Sequence, residues 1–206
     1  MSIMIATPMY GGQCHHAYFR SALELHGSLV ANDIRHDFYT LWNESAVHRA
    51  RNQCVKAFLN TDFEYMLFVD GDIEFTCDDV ALLSNLDTDI AAGCYRMKQD
   101  NAPFAAWCNG KLVTLDDVAH CGQPFKVDYA GTGFMLIKRH VIERLCQDAE
   151  TYDGPEGLTH QLFRFPIRNG VELSEDYAFC EDARNAGFNV VMHPRVRLVH
   201  WGIKAY

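Results

Sequence analysis

The sequence predicts an α/β fold, with βαβαβ order in the first half and more antiparallel signals in the second. Three observations carry that prediction. Short continuous apolar runs such as residues 66–69 read as strands buried on both faces of a parallel sheet. Between them lie segments with apolar residues at helical spacing, opened by capping residues or closed by glycine. One apolar run ends abruptly in Asp70-Gly71-Asp72, and open α/β sheets collect ligands at the carboxyl ends of their strands.

Taken in order, residues 3–6 form a first strand broken by Thr7-Pro8-Met9-Tyr10-Gly11-Gly12. A helix over 16–31 follows, with Phe19, Leu23 and Val30 at roughly helical spacing. Residues 34–41 read as a strand, and 45–59 as a helix with Val47, Ala50, Cys54 and Phe58 on one stripe. After the acidic strand end, Thr76 with Asp78 and Asp79 caps a helix to about residue 86. Residues 89–94 are another strand. Short strands are expected at 104–108, 111–115 and 125–129, the last resuming at 134–137 after a glycine break. A helix over 140–149 precedes residues 152–169, where Gly154, Pro155, Gly157 and Pro166 suggest a long irregular loop, of the kind that serves as a lid or stays disordered. Ser174 caps a helix to about 186, ended by Gly187, and strands at 189–192 and 196–199 finish the pattern.

Composition sets outer bounds. A chain of 206 residues with 49% hydrophobic and 22% charged residues suits one soluble domain with a sizeable core. Its 18 basic and 27 acidic residues give a net charge of −9, which argues against non-specific binding to nucleic acid or anionic membranes. No secretory leader is evident, and no apolar stretch approaches the roughly 20 residues that cross a bilayer. The eight cysteines are scattered without a Cys-x-x-Cys pair, so they read as free thiols of a cytoplasmic protein rather than as zinc ligands.

Asp70 and Asp72, separated by Gly71, suit a hard divalent cation carrying a substrate phosphate, the glycine leaving room for a ligand to approach. Asp-Gly is also a common turn former. The turn at 7–12 shares the sheet edge of Asp70. There Tyr10 could stack on a base while Thr7 and Pro8 offer backbone to its polar edge, or proline and glycine merely end the strand. Arg51 sits at the border of its helix's buried face. Glu175 and Asp176 open a helix at Ser174, where acids stabilise the macrodipole by roughly 0.3–1 kcal/mol each. Lys98 follows a strand and could neutralise a phosphate. Gly131-Thr132-Gly133 suggests close approach of a sugar to the backbone, or a β-bulge. Trp107 and Trp201 could stack on sugar faces or fill core.

In order, Ile5-Ala6-Thr7-Pro8-Met9-Tyr10-Gly11-Gly12, Arg49-Ala50-Arg51-Asn52, Asp70-Gly71-Asp72, Ser174-Glu175-Asp176-Tyr177-Ala178-Phe179-Cys180 and His200-Trp201-Gly202 span nearly the whole chain. This set resembles the GT-A class of nucleotide-sugar glycosyltransferases, especially small viral and bacterial members. The resemblance implies a three-layer α/β/α domain over 1–206. Its Rossmann-like nucleotide-sugar half would span about 1–100, and a mixed-sheet acceptor half about 101–206. It implies a sugar donor linked to a nucleoside diphosphate, most simply UDP, a Mn²⁺ (or Mg²⁺) cofactor, and a glycan hydroxyl as acceptor. Asp70-Gly71-Asp72 matches the family's D-x-D motif, with Asp72 ligating the cation, Asp70 reaching ribose and metal through water, and His200 as third ligand. Arg51 would contact the base or orient an acid. Asp176, or next Glu175, would be the general base.

Three other functions share some of these residues. A haloacid-dehalogenase-type phosphatase has Thr two positions after its second Asp, where this chain has Glu74. A sugar nucleotidyltransferase has a basic Gly-rich N-terminal loop, where Gly11 and Gly12 are followed here by Gln13 and Cys14. A non-catalytic carbohydrate- or nucleotide-binding module would use the same Asp70, Asp72 and His200 without turnover.

Overall fold

A computed structural model describes residues 1–206. The first half runs β1 (Ser2–Met9), α1 (His16–Ala31), β2 (Arg35–Trp42), α2 (Val47–Leu59), β3 (Tyr65–Val69), β4 (Ile73–Glu74), α3 (Cys77–Ser84) and β5 (Ile90–Cys94). Then come β6 (Ala106–Cys108), β7 (Lys111–Leu112), α4 (Leu115–Cys121), β8 (Phe125–Lys126), β9 (Tyr129–Ala130), β10 (Phe134–Lys138) and α5 (Arg139–Asp148). The chain continues through β11 (Thr151–Gly154), β12 (Gly157–His160), β13 (Ile167–Arg168), β14 (Val171–Glu172), α6 (Glu175–Asn185), β15 (Val190–Arg197) and β16 (Val199–His200).

Seven strands form one sheet in the order β2-β1-β3-β10-β5-β15-β8. β1 is parallel to β2 and β3, whereas β10 is antiparallel to both of its neighbours, β3 and β5. β5 therefore points the same way as β1 and β3, and the carboxyl ends of all three meet at one edge. Alternate side chains of each strand face opposite sides. Met4, Met66, Phe68, Ile90 and Met135 pack with α2, α5 and α6, through Cys54, Phe58, Ile142 and Phe179. Ile3, Ile5, Leu67, Val69 and Leu136 pack with α1 and α3, through Tyr18, Leu25, Val80 and Leu83. The result is a three-layer α/β/α arrangement, and β3 is apolar throughout because helices cover both its faces.

Several sequence expectations change. On α1 the buried stripe is Ala17, Tyr18, Ser21, Leu25 and Leu29, while Phe19, Leu23 and Val30 are 56%, 54% and 59% exposed. Both stripes have helical spacing, and only the sheet decides between them. β10 does not continue the 125–129 strand; it crosses to insert between β3 and β5. α4, capped by a Thr114–Asp117 box, stands where no helix was expected. The two C-terminal strands fuse into β15, with a register shift between His193 and Arg197, and β16 follows.

The segment 152–169 is not an irregular loop. It contains the hairpin β11–β12 and enters the hairpin β13–β14. Asn52 on α2 binds the backbone of Phe163 twice, Nδ2 donating to the carbonyl at 2.9 Å and Oδ1 accepting from the N–H at 2.8 Å. Phe163 is fully buried and stacks on Phe179, ring centres 4.8 Å apart. Lys56 holds the carbonyl of Glu156. These ties fix the segment to the core, so the structure offers no support for a lid there.

Candidate active site

The sheet edge where β1, β3 and β5 end opens into a cleft of about 560 Å³, within the range usual for ligand pockets. Pro8, Tyr10, Asp70, Gly71, Asp72, Lys98, His200 and Trp201 all line it. Topology explains the convergence. β1 delivers Tyr10, β3 delivers the acidic pair, and the chain after β5 delivers Lys98. β16 pairs antiparallel with β4, with His200 opposite Ile73, and so returns His200 across the acidic turn. The N–H of Trp201 donates to the carbonyl of Asp72 at 2.8 Å and locks that return. A second cavity, about 400 Å³, lies by α5 and α6, where Arg144 and Arg164 are neutralised by Asp148 and Asp182.

The two carboxylates face different partners. Both oxygens of Asp70 accept from Arg51 Nη2, at 3.0 and 3.3 Å, while Arg51 Nε lies 3.4 Å from Glu175 Oε1. Arg51 is buried and also lies over the Phe68 ring, 5.5 Å from its centre. Burial alone would lower its pKa; the two carboxylates overcome that and raise it, keeping it charged. A single lysine ammonium cannot reproduce this fork. Arg51→Met therefore leaves Asp70 and Glu175 unpaired, and is expected to cost about 3–5 kcal/mol. For a chain this size, thermal unfolding should read it as a Tm drop of about 6–20 °C. An unchanged Tm would show that the carboxylates find other partners.

Asp72 pairs with the Lys98 ammonium through Oδ2. Its other oxygen, Oδ1, is buried, has no hydrogen-bond partner, and lies 3.5 Å from His200 Nε2. His200 Nδ1 is 2.8 Å from the Arg96 carbonyl, which can only accept, so Nδ1 carries the hydrogen. In neutral imidazole that turns the Nε2 lone pair toward Asp72. Burial would raise the Asp72 pKa, but His200, when Nε2 also carries a hydrogen, and Lys98 hold it below the usual carboxylate range.

The three expected metal ligands do not converge, and no three His, Cys, Asp or Glu side chains form a set that could hold an ion. Asp70 is paired with Arg51 through both of its oxygens; the resemblance gives it contact with a cation only through water. Asp72 and His200 do fit a cation: an orphaned carboxylate oxygen faces an imidazole lone pair, and a backbone carbonyl orients the ring from behind.

Glu175 and Asp176 open α6 at Ser174. Glu175 is spent on Arg51. Asp176 is half-buried, and its Oδ1 accepts from the Ser174 hydroxyl and, at 2.9 Å, from the Tyr177 N–H, leaving Oδ2 free of protein donors. Burial, with the Glu175 charge beside it, pushes Asp176 up to about 6 against the pull of Ser174 and Arg51.

Other expected contacts are corrected. Thr7 is wholly buried, backbone included, with its hydroxyl 2.7 Å from that of Tyr18, so it offers no exposed backbone to a base. Gly131, Thr132 and Gly133 are buried too. A Cβ at Gly131 would meet the Tyr95 hydroxyl at 2.0 Å, and one at Gly133 would meet it at 2.8 Å, so these glycines make room for Tyr95 rather than for a sugar. Tyr95 in turn accepts from the Gly133 N–H at 3.0 Å. At Gly71 the open side is filled by Cys14, whose Cβ lies 3.4 Å from where a side chain would start. Trp107 lies outside this cleft. Trp201 stacks on His15 at 4.6 Å and donates to Glu74 at 2.8 Å. Sequence reasoning missed His15 and Tyr95. Nothing marked His15, but the small residues at 131 and 133 were a trace of a bulky neighbour.

No protein-family model and no curated protein matches the sequence. Solved structures do. The A197 protein from STIV superposes with a TM-score of 0.62 at 18% identity, covering 98% of this chain and 86% of that one. A Drosophila β1,4-galactosyltransferase 7 variant, in complex with manganese, UDP-Gal and xylobiose, gives 0.56 at 10% identity, covering 98% and 71%. GalNAc-T7 with UDP, GalNAc and Mn²⁺ gives 0.52 at 10% identity, covering 97% of this chain and 43% of that one. With helices on both faces of a mixed seven-stranded sheet and an acidic turn at the end of β3, the chain has a GT-A-like glycosyltransferase fold.

Proposed function

We propose that the protein transfers a sugar from a nucleoside diphosphate, UDP by preference, to a hydroxyl of a glycan acceptor, with Mn²⁺ or Mg²⁺ as cofactor. The observation that carries this reading is the buried, unpartnered Asp72 Oδ1 facing His200 Nε2 at the mouth of a nucleotide-sized cleft. The structural neighbours crystallised with UDP or UDP-Gal and manganese support it. Asp72 and His200 would hold the cation, which offsets charge developing on the leaving diphosphate.

The remaining roles are those the resemblance implies, assigned to residues in and around the cleft. Asp70, fixed by Arg51, presents a rigid carboxylate toward the ribose. Lys98 neutralises the diphosphate, and exposed Tyr10, beside Pro8 at the rim, covers the base. Asp176, near Arg51 though not among the residues that line the cleft, would take the acceptor hydroxyl's proton through its free Oδ2 as the acceptor oxygen attacks the anomeric carbon and the bond to the leaving diphosphate breaks. Glu175, paired with Arg51, holds the start of α6 in place. The eight cysteines are free thiols, which suits work in a reducing compartment such as the cytoplasm. No helix is long and apolar enough to cross a membrane.

Incubation with UDP-, GDP- and dTDP-sugars, Mn²⁺ and a glycan panel tests the proposal. The expected product is free nucleoside diphosphate with a lengthened glycan. Inorganic phosphate from a monoester would instead support a phosphatase, and tight donor binding with no product a binding module.

A further inference from the structure

The Lys98 ammonium already occupies Asp72, the carboxylate proposed to receive the cation. Lys98 and Asp72 side chains are 39% and 35% exposed, so the pair sits at the cleft surface, open to exchange. The Lys98 stem is held beside Gly202, where a Cβ would lie 3.4 Å from its Cδ. Asp70 is the weaker anchor, because both of its oxygens already accept from the Arg51 guanidinium. A divalent ion entering alone would therefore find two protein ligands and a fixed positive charge on one of them.

A diphosphate changes both terms. Its oxygens complete the coordination of a hard cation, and its charge gives the displaced ammonium a new partner. We propose that Lys98 makes cation binding conditional on the diphosphate, exchanging Asp72 for a phosphate oxygen as metal and nucleotide enter together. Resting on the reading of Asp72 and His200 as ligands, the inference adds an order to assembly. Coupling of this kind is reciprocal, so metal and diphosphate tighten each other equally.

Mn²⁺ titration followed by electron paramagnetic resonance, with and without UDP and corrected for the Mn²⁺–UDP complex formed in solution, tests it without reference to turnover. In the wild type, UDP should tighten Mn²⁺ binding by about 5–150-fold. Lys98→Met should bind Mn²⁺ alone about tenfold more tightly than wild type and show a UDP effect smaller by the same factor, the diphosphate oxygens still contributing their share. Lys98→Arg, which keeps the charge, should behave as wild type. Equal affinity of wild type and Lys98→Met for Mn²⁺ alone would overturn the inference while leaving the metal site standing, as would Lys98→Arg behaving like Lys98→Met. No Mn²⁺ binding by any of the three, even with UDP, would overturn the functional reading itself.

Discussion

Replacing Asp72 with alanine is expected to abolish metal-dependent turnover, lowering kcat by about 10³-fold or more. The reason is local. Asp72 is the one carboxylate in the cleft with a buried oxygen that no protein group satisfies, and both Lys98 and His200 face it. Because the side chain is about a third exposed, its ion pairs contribute only about 0–1 kcal/mol to stability. Loss of activity should therefore come without loss of fold, which a thermal melt alongside the kinetics would verify. Turnover retained at the wild-type rate would remove Asp72 from the mechanism.

Asp176→Asn is expected to lower kcat by about 10²–10⁴-fold while leaving donor affinity near wild type. Asparagine keeps the contact with the Tyr177 N–H through its carbonyl, so α6 stays anchored, but it cannot accept a proton. The wild-type rate should also show an acid limb. A base works as the carboxylate, so as pH falls through about 6 Asp176 takes up a proton and turnover declines. The same shift has a consequence for folding. With its folded pKa above the unfolded value of about 3.9, Asp176 adds stability at low pH that is lost as pH rises through about 6. In the Asn variant both pH effects should vanish. An unchanged rate, or an acid limb that persists in the variant, would assign the base elsewhere.

How much of this was legible in the sequence depends on the range of the interaction. β3 and its acidic turn could be read directly, because a strand covered on both faces is apolar at every position and the turn residues follow it at once. The hairpin β13–β14 was also legible and was overlooked. Asn169-Gly170, with φ of 52° and 81°, is the pair that a two-residue hairpin turn prefers. Asn109-Gly110 joins β6 to β7 in the same way, with φ of 52° and 72°. Likewise Thr114 and Asp117 repeat the capping box of Thr76 and Asp79, yet only the second was read as a helix start.

Other features depend on contacts that no local pattern encodes. The insertion of β10 between β3 and β5 is one, since nothing within residues 134–138 names its neighbours. The division of the acidic pair is another. Asp70 turns to Arg51 and Asp72 to His200 because a helix from residue 47 onward brings an arginine to one and a strand ending at residue 200 brings a histidine to the other. Their spacing alone does not separate the two acids; the family resemblance implies the division, with Asp72 on the cation and Asp70 on the ribose. In the structure one is committed to a buried arginine and the other is left with an unsatisfied oxygen.

The most direct measurement is a crystal structure of the protein soaked with UDP and Mn²⁺, with anomalous diffraction collected to locate manganese. The account predicts one strong manganese peak bonded to Asp72 Oδ1 and His200 Nε2 and to the diphosphate, with Lys98 moved onto a phosphate oxygen. A diphosphate bound with no manganese, or manganese bound away from Asp72 while the Lys98 pair stays closed, would contradict it.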